Sequence, residues 1–234
     1  MLKVEAVGFS YGQNLILNQI TFDVMPGEIV GIVGISGSGK STLGRLILQE
    51  MAPNQGRIAS TYESVLPIFQ HATYAFNPKL TIQASLNEAA QYQQQTEKEI
   101  KAYRDELMSQ MELPKHLLSH YPSDVSGGQL QRFNVIRTLM LKPDLLICDE
   151  VTANLDVVAE AKMAHQLKRY AEEAGKAMII ISHDIAFLQG IVNRIIVLHE
   201  GQLVDDFPIS ELFETSRHPA TQDLLRIYTD MMSV

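Results

Sequence analysis

Gly34-Ile35-Ser36-Gly37-Ser38-Gly39-Lys40-Ser41-Thr42 has the form G-x-x-x-x-G-K-[ST], and its reading decides the fold. Before it, Glu28-Ile29-Val30-Gly31-Ile32-Val33 has the length and apolarity of a buried strand. After it, Thr42-Leu43-Gly44-Arg45-Leu46-Ile47-Leu48 reads as the start of a helix. Strand, glycine loop and helix in this order make a phosphate cradle. Glycine lets the backbone wrap closely round an anion and turn its N–H groups inward. Lys40 is placed to reach β- and γ-phosphates and the Ser41 hydroxyl to ligate Mg²⁺, while the helix adds its positive end. The alternative, a glycine-rich surface turn, is disfavoured by the strand and helix on either side.

The carboxylates such a loop needs occur far downstream. Leu145-Leu146-Ile147-Cys148-Asp149-Glu150 is an apolar run ending in two acids, as expected of a central parallel strand delivering them to the sheet's carboxyl edge, where open α/β folds bind ligands. Asp149 would hold Mg²⁺ directly or through water, and Glu150 would polarise the attacking water as general base. Alone, such a pair is equally well a solvated strand end; the loop upstream decides for a site. Between the two segments, Val125-Ser126-Gly127-Gly128-Gln129 sets a small hydroxyl and two glycines at a helix start, which suits close approach to phosphate. The loop and this segment are each half of a site, and together they predict an ATPase that closes on nucleotide as a pair.

With these three segments in this order, the chain resembles the nucleotide-binding subunits of ATP-binding cassette (ABC) transporters over essentially its whole length. The resemblance implies an α/β fold, a P-loop NTPase (RecA-like) core with an antiparallel β-subdomain and an inserted α-helical subdomain. It implies ATP and Mg²⁺ as ligands. It also implies two cassettes head to tail, with Ser126, Gly127, Gly128 and Gln129 of one touching the γ-phosphate held by Gly34, Ser36, Gly37, Ser38, Gly39, Lys40, Ser41 and Thr42 of the other. In the family pattern Tyr11 matches the aromatic that stacks on adenine, although a tyrosine at a strand end also serves plain packing. Gln70, after Val65-Leu66-Pro67-Ile68-Phe69, matches the glutamine that senses Mg²⁺ and attacking water and links the core to the helical subdomain. His183, after Met178-Ile179-Ile180-Ile181, matches the switch histidine at the γ-phosphate. Asp156, in Asn154-Leu155-Asp156, matches the loop that speaks across the dimer. One departure is that Glu150-Val151-Thr152-Ala153-Asn154-Leu155-Asp156 lacks the proline and serine common after the catalytic glutamate, although both its acids remain. The expected catalytic set is therefore Glu150, His183 and Gln70, with Ser41, Gln70 and Asp149 for the metal.

Composition bounds the reading. At 234 residues and 46% hydrophobic content the chain buries a substantial core, as suits one cassette domain over 1–234. Its core is expected over 1–85 and 140–234, with a helical subdomain over about 86–139. A net charge of −8 argues against a broad nucleic-acid surface. The single cysteine, Cys148, allows no disulfide within the chain and suits a reducing cytoplasm. Apolar runs fall far short of the ~20 residues that cross a bilayer, and the N-terminus alternates polar and apolar residues unlike a secretory signal. The expected place is peripheral, on the cytoplasmic face of the cell membrane. The expected partners are a second ABC ATPase subunit, homologous or identical, two transmembrane permease subunits, and an extracellular substrate-binding protein acting through them.

Two helices are legible by periodicity. Glu97 to Met111 places Ile100, Tyr103, Leu107 and Met111 on one face, and the Gln93-Gln94-Gln95 tract before it reads as an exposed loop or fraying end. A second helix is expected from Asp156 to Glu173, with Val157, Ala161, Ala164, Leu167 and Ala171 as its buried stripe.

The cargo is hinted at by two segments. Asn77-Pro78-Lys79-Leu80-Thr81-Ile82 and His218-Pro219-Ala220-Thr221-Gln222-Asp223-Leu224-Leu225 resemble segments of nickel and peptide importer cassettes, and Leu66-Pro67-Ile68-Phe69-Gln70-His71 and Val204-Asp205-Asp206-Phe207 look like the short nickel-type cassettes of Gram-positive bacteria. Import of nickel or a metal–metallophore chelate is expected, with dipeptide or oligopeptide import as the alternative. A soluble cassette in DNA repair or translation is disfavoured by the acidic charge, the single cassette and the lack of a coiled-coil insertion. His71, His183 and His218 do not read as a metal site, because cargo passes through other subunits. Larger members of the group carry a cysteine-rich C-terminal extension able to hold an iron–sulfur cluster; no cysteine lies there in this chain, and no cluster is expected.

Overall fold

The computed structural model describes residues 1–91, 96–152, 155–214 and 216–232, so the Gln93-Gln94-Gln95 tract, and Ala153 and Asn154 after the acid pair, lie outside the described residues. The chain runs β1 (Leu2–Tyr11), β2 (Asn14–Val24), β3 (Ile29–Val33), α1 (Lys40–Ile47), β4 (Gln55–Ser60) and β5 (Val65–Ile68). It then enters a helical stretch, α2 (Ile82–Ala90), α3 (Glu97–Gln110) and α4 (Gly127–Leu139). It returns through β6 (Leu145–Asp149), α5 (Val157–Ala174), β7 (Ala177–Ile181), α6 (Ile185–Gln189), β8 (Arg194–His199), β9 (Gln202–Pro208) and α7 (Pro219–Met232).

The strands form two sheets. One is antiparallel, in the order β2-β1-β4, and the other is six-stranded, in the order β5-β6-β7-β3-β8-β9. From β5 to β8 all neighbours are parallel, and β9 adds an antiparallel edge. Pro67, which has no N–H to give, falls in β5, the outermost strand, where a sheet tolerates proline.

Alternation along the inner strands builds two cores. Val30 and Ile32, Leu145 and Ile147, Ile179 and Ile181, and Ile196 and Leu198 point to one face, where they meet Leu43 and Leu46 of α1 and Val4, Val7, Leu17 and Ile20 of the antiparallel sheet. The intervening Ile29 and Val33, Leu146 and Cys148, Met178 and Ile180, and Ile195 and Val197 point to the other face. There they pack with Leu86 of α2, Leu107 and Met108 of α3, Phe133 and Ile136 of α4, Leu167 of α5 and Leu188 of α6. Strands buried on both faces explain the nearly continuous apolar runs. The arrangement is a P-loop NTPase core with an antiparallel sheet on one face and helices inserted between β5 and β6.

Asp144 fastens the amino ends of three adjacent strands. Its Oδ2 accepts from the N–H of Ser64 at 3.1 Å, just before β5, and its Oδ1 from Lys176 Nζ at 2.7 Å, just before β7. The Lys176 ammonium, more than the Ser64 bonds, holds this carboxyl below the usual carboxylate range.

The buried face of α3 includes Leu107 and Met108, with Ile100 and Tyr103 partly buried against them, close to the expected stripe. The expected stripe of α5 holds at Leu167 and Ala171, which are buried, and at Ala164, which packs against the core, but not at its first two positions. Val157 is 84% exposed, and Ala161 is exposed too; the buried residues are Met163, Gln166, Leu167, Tyr170 and Ala171. Tyr170 settles the rotation by donating its hydroxyl to the Pro143 carbonyl at 2.8 Å. Among the described residues no helix is long and apolar enough to cross a membrane.

Candidate nucleotide site

The glycine loop joins the carboxyl end of β3 to α1. At Gly34 a Cβ would lie 2.2 Å from the carbonyl oxygen of Leu198, so no larger residue fits beside β8. Ser36 and Gly37 form an exposed tip, and Ser38 turns inward, its Oγ buried without a hydrogen-bond partner among the described residues. Gly39 is the N-cap of α1 at φ 101°, a left-handed value that favours glycine, and no side chain caps this helix. Its first N–H groups, opening with Lys40, Ser41 and Thr42, therefore face the loop, the arrangement that binds anions. Lys40 Nζ donates to the carbonyls of Gly34 at 2.7 Å and Ile35 at 2.9 Å, which lays the ammonium across the loop. Burial lowers the pKa of this ammonium, and the carboxylates of Glu150 and Asp149 oppose the shift.

Asp149 ends β6, next but one to β3 in the sheet, and Glu150 follows it directly. Burial raises the pKa of Asp149, a hydrogen bond from the Ser41 hydroxyl lowers it, and Glu150 raises it again. Its Oδ1 is buried with no hydrogen-bond partner among the described residues. A buried, incompletely partnered carboxylate beside a serine hydroxyl is an oxygen donor set suited to a hard divalent cation. Gln70 is exposed just beyond β5, next to Phe69, which lines a small surface pocket with Ser41 and Asp149.

Glu150 has φ 48°, a left-handed conformation unusual for a residue with a Cβ. Its N–H donates to the Ile181 carbonyl at 2.9 Å. Nδ1 of His183 lies 3.0 Å from one carboxylate oxygen and 2.9 Å from the other, joining the end of β7 to the acid pair. The histidine is 77% exposed and Glu150 only 17%, so the imidazole stands between the carboxylate and solvent. Tyr11, at the end of β1, is 48% exposed. It packs edge-on against Phe9 with ring centroids 4.9 Å apart, and its hydroxyl accepts from Arg45 Nη1 at 3.3 Å.

Ser126 caps α4, its Oγ accepting from Gln129 N–H at 3.2 Å while Gln129 Oε1 accepts from Ser126 N–H at 2.9 Å. Ser126, Gly127 and Gly128 line a surface depression with Leu155 and Asp156, and no residue of the glycine loop lines it. Asp156 caps α5, accepting from the Ala159 N–H at 2.8 Å. The structure thus brings Lys40, Ser41, Asp149, Glu150 and His183 together, and gathers Ser126, Gly127, Gly128 and Asp156 in a second group.

Sequence reading missed Gln131, a buried polar residue of α4 whose amide donates to the main-chain carbonyls of Phe69, beside Gln70, and of Val151, beside Glu150. Its signal was faint, one amide among the several polar residues of α4, Gln129, Arg132, Asn134, Arg137 and Thr138. Arg132 was missed too; its Nη1 donates to the Met111 carbonyl at 2.8 Å and pins α4 to the end of α3.

A glycine cradle after an inner parallel strand, with two acids at the end of another strand of the same sheet, defines a phosphate-loop nucleotide hydrolase. Residues 17–153 match the family model described as ABC transporter. Over 234 aligned residues, covering 98% of this chain and 100% of the relative, the chain is 45% identical to the nickel import system ATP-binding protein NikE of Staphylococcus aureus strain MSSA476. Among solved structures it resembles the dimeric post-hydrolysis state of the ATP-binding cassette MJ0796 bound to ADP and Pi, at 26% identity and a TM-score of 0.80 over 89% of this chain and 99% of that one. It also resembles cbiO1 of Clostridium perfringens, part of the ABC transporter complex cbiONQ, at 25% identity and a TM-score of 0.80 over 100% and 98%. The chain belongs to the ABC transporter family, as an ATP-binding subunit that hydrolyses ATP.

Proposed function

We propose that the chain powers import of nickel, as the ion or as a chelate with a small metallophore, by hydrolysing ATP at a site completed by a second cassette. The observation that carries the cargo is the 45% identity to a nickel import cassette across the whole of both chains. The segments Asn77–Ile82 and His218–Leu225 agree with it.

In this reading the backbone of Gly34, Ser36, Gly37, Ser38 and Gly39 cradles the phosphates, Lys40 and Thr42 add donors, and Tyr11 stacks on the base. Ser41, Gln70 and Asp149 would hold Mg²⁺, which when bound neutralises charge on the β- and γ-phosphate oxygens. Glu150 takes the proton of the attacking water, and His183, held at 2.9 Å from it, fixes the direction of the carboxylate. Ser126, Gly127, Gly128 and Gln129 of the second cassette close over the γ-phosphate, and Asp156 contributes from the adjoining loop. Loss of the γ-phosphate removes that bridge and the pair reopens.

The helical region between β5 and β6 transmits this cycle to two transmembrane permease subunits through the Gln70 loop, with an extracellular substrate-binding protein delivering cargo. The chain works on the cytoplasmic face of the membrane. Uptake of radiolabelled nickel by a strain lacking this chain tests the reading. Uptake should fall and return with the parent gene but not with Glu150→Gln. Unchanged nickel uptake together with loss of dipeptide uptake would reassign the cargo to peptides.

A further inference from the structure

Gln131 lies near the start of α4 and is only 3% exposed, a polar side chain between the core residues Leu130 and Phe133. Its Nε2 donates to the Val151 carbonyl at 3.1 Å and to the Phe69 carbonyl at 3.3 Å. A carboxamide nitrogen carries two hydrogens, so one group serves both acceptors. Phe69 immediately precedes Gln70, and Val151 immediately follows Glu150. Asn134, one turn on, also donates to Phe69 O at 3.3 Å, and the Thr138 hydroxyl reaches Pro67 O at 3.4 Å. Those two hold α4 to the end of β5. Gln131 alone of the three also grips the segment that carries the base.

That grip bears on Glu150 directly. Its backbone, at φ 48°, persists only if its surroundings fix it. On one side the Ile181 carbonyl holds the Glu150 N–H at 2.9 Å, and on the other Gln131 holds the Val151 carbonyl. The same helix begins with the Ser126 cap.

We propose that Gln131 is a positioning residue for hydrolysis: its amide nitrogen clamps the Glu150 kink to the Gln70 loop. Docking of the second cassette's nucleotide on Ser126 is thereby passed along α4 to the base that acts on this chain's own nucleotide. The inference rests on the general-base reading of Glu150 and the cross-dimer reading of Ser126.

The test compares Gln131→Met, similar in length but without a donor, Gln131→His, with one ring N–H for two carbonyls, Asn134→Leu and Glu150→Gln, each in the assembled transporter. The readouts are ATP turnover, KM for ATP, the Hill coefficient and the thermal midpoint. For Gln131→Met, kcat should fall on the order of 10- to 100-fold, the scale of a catalytic group displaced by about 1 Å. Its KM should stay within about twofold and its Hill coefficient drop toward 1, as expected when the coupling between sites is cut. Gln131→His should fall between it and the parent. Asn134→Leu should lower the thermal midpoint comparably while keeping kcat and cooperativity near the parent. Parent-like kcat and cooperativity in Gln131→Met, or an equal loss in Asn134→Leu, overturns the inference. Should Gln131→Met not assemble, parent-like turnover in Gln131→His overturns it instead. If Glu150→Gln leaves turnover unchanged, the general-base reading itself falls and takes the inference with it; if Glu150→Gln is inactive and Gln131→Met is not impaired, only the inference falls.

Discussion

Glu150 is held at three points, by the Ile181 carbonyl at its N–H, by His183 at its carboxylate and by Gln131 at the next carbonyl. Removing only its basicity separates binding from chemistry. Glu150→Gln should lower turnover by on the order of 10²–10⁴, the range for a lost general base, with ATP affinity nearly intact in equilibrium binding. Lys40→Ala should do the reverse at the binding step and weaken ATP by roughly tenfold or more, the value of a charged hydrogen bond; unchanged affinity would refute the loop assignment. Asp144 gives a pH test remote from the site. Its folded pKa lies below the unfolded value because Lys176 and Ser64 favour the charged form. Its stabilisation is therefore complete above the unfolded pKa of about 3.9 and is lost as pH falls from there through the folded value. Asp144→Asn should cost about 1–2 kcal/mol in urea unfolding at pH 7, and its gap from the parent should narrow below pH about 4. Gly34, Lys40, Asp149 and Glu150 were legible in the sequence because their chemistry is written in contiguous residues. Gln131 was not, because the acceptors that give it meaning, Phe69 O and Val151 O, are brought to it only by folding.

Two helices carry the same start signal with different consequences. Thr96 and Glu99 form a capping box on α3, and Ser126 and Gln129 form one on α4, with N–H to Oγ distances of 3.3 and 3.2 Å. Thr96→Ala and Ser126→Ala should each cost about 1 kcal/mol of stability. Only Ser126→Ala should also depress ATP turnover, because only that hydroxyl is read as facing the companion's nucleotide; equal turnover in both variants would remove Ser126 from the site. Periodicity found both α3 and α5, but it misplaced the first two positions of the α5 stripe. Val157, Ala161, Ala164, Leu167 and Ala171 make a plausible stripe by hydropathy alone. The true face takes in Gln166 and Tyr170, whose buried polar atoms hydropathy scores as surface, while Val157 and Val158 are exposed beside the Asp156 cap.

At the scale of the whole molecule, Cys148 is a reporter of global opening. It is fully buried in β6 between β5 and β7, and burial pushes its thiol pKa far up. A thiol reagent should label the native chain only as fast as the sheet opens. ATP at about 100 times its Kd should slow labelling about 100-fold, since a ligand bound only by the native state adds roughly 2.7 kcal/mol. Fast labelling that ignores nucleotide would contradict both the burial and the binding. The parallel core was legible because its strands are unbroken apolar runs. The two-sided division of that core was not, because it depends on which helices and which antiparallel strands come to lie on each face.

The excursion that leaves the large sheet after Ile68 and rejoins it at Leu145 begins and ends on neighbouring strands, paired Val65 to Leu145 through Ile68 to Cys148. Such a detour is a cassette within the cassette. A relative's residues spanning the same two strands should graft into this chain with Lys40, Ser41, Asp149, Glu150 and His183 left in place and the counterparts of Gln70 and Ser126 carried in by the graft, so that one motor is handed a different gearbox and turns a different channel.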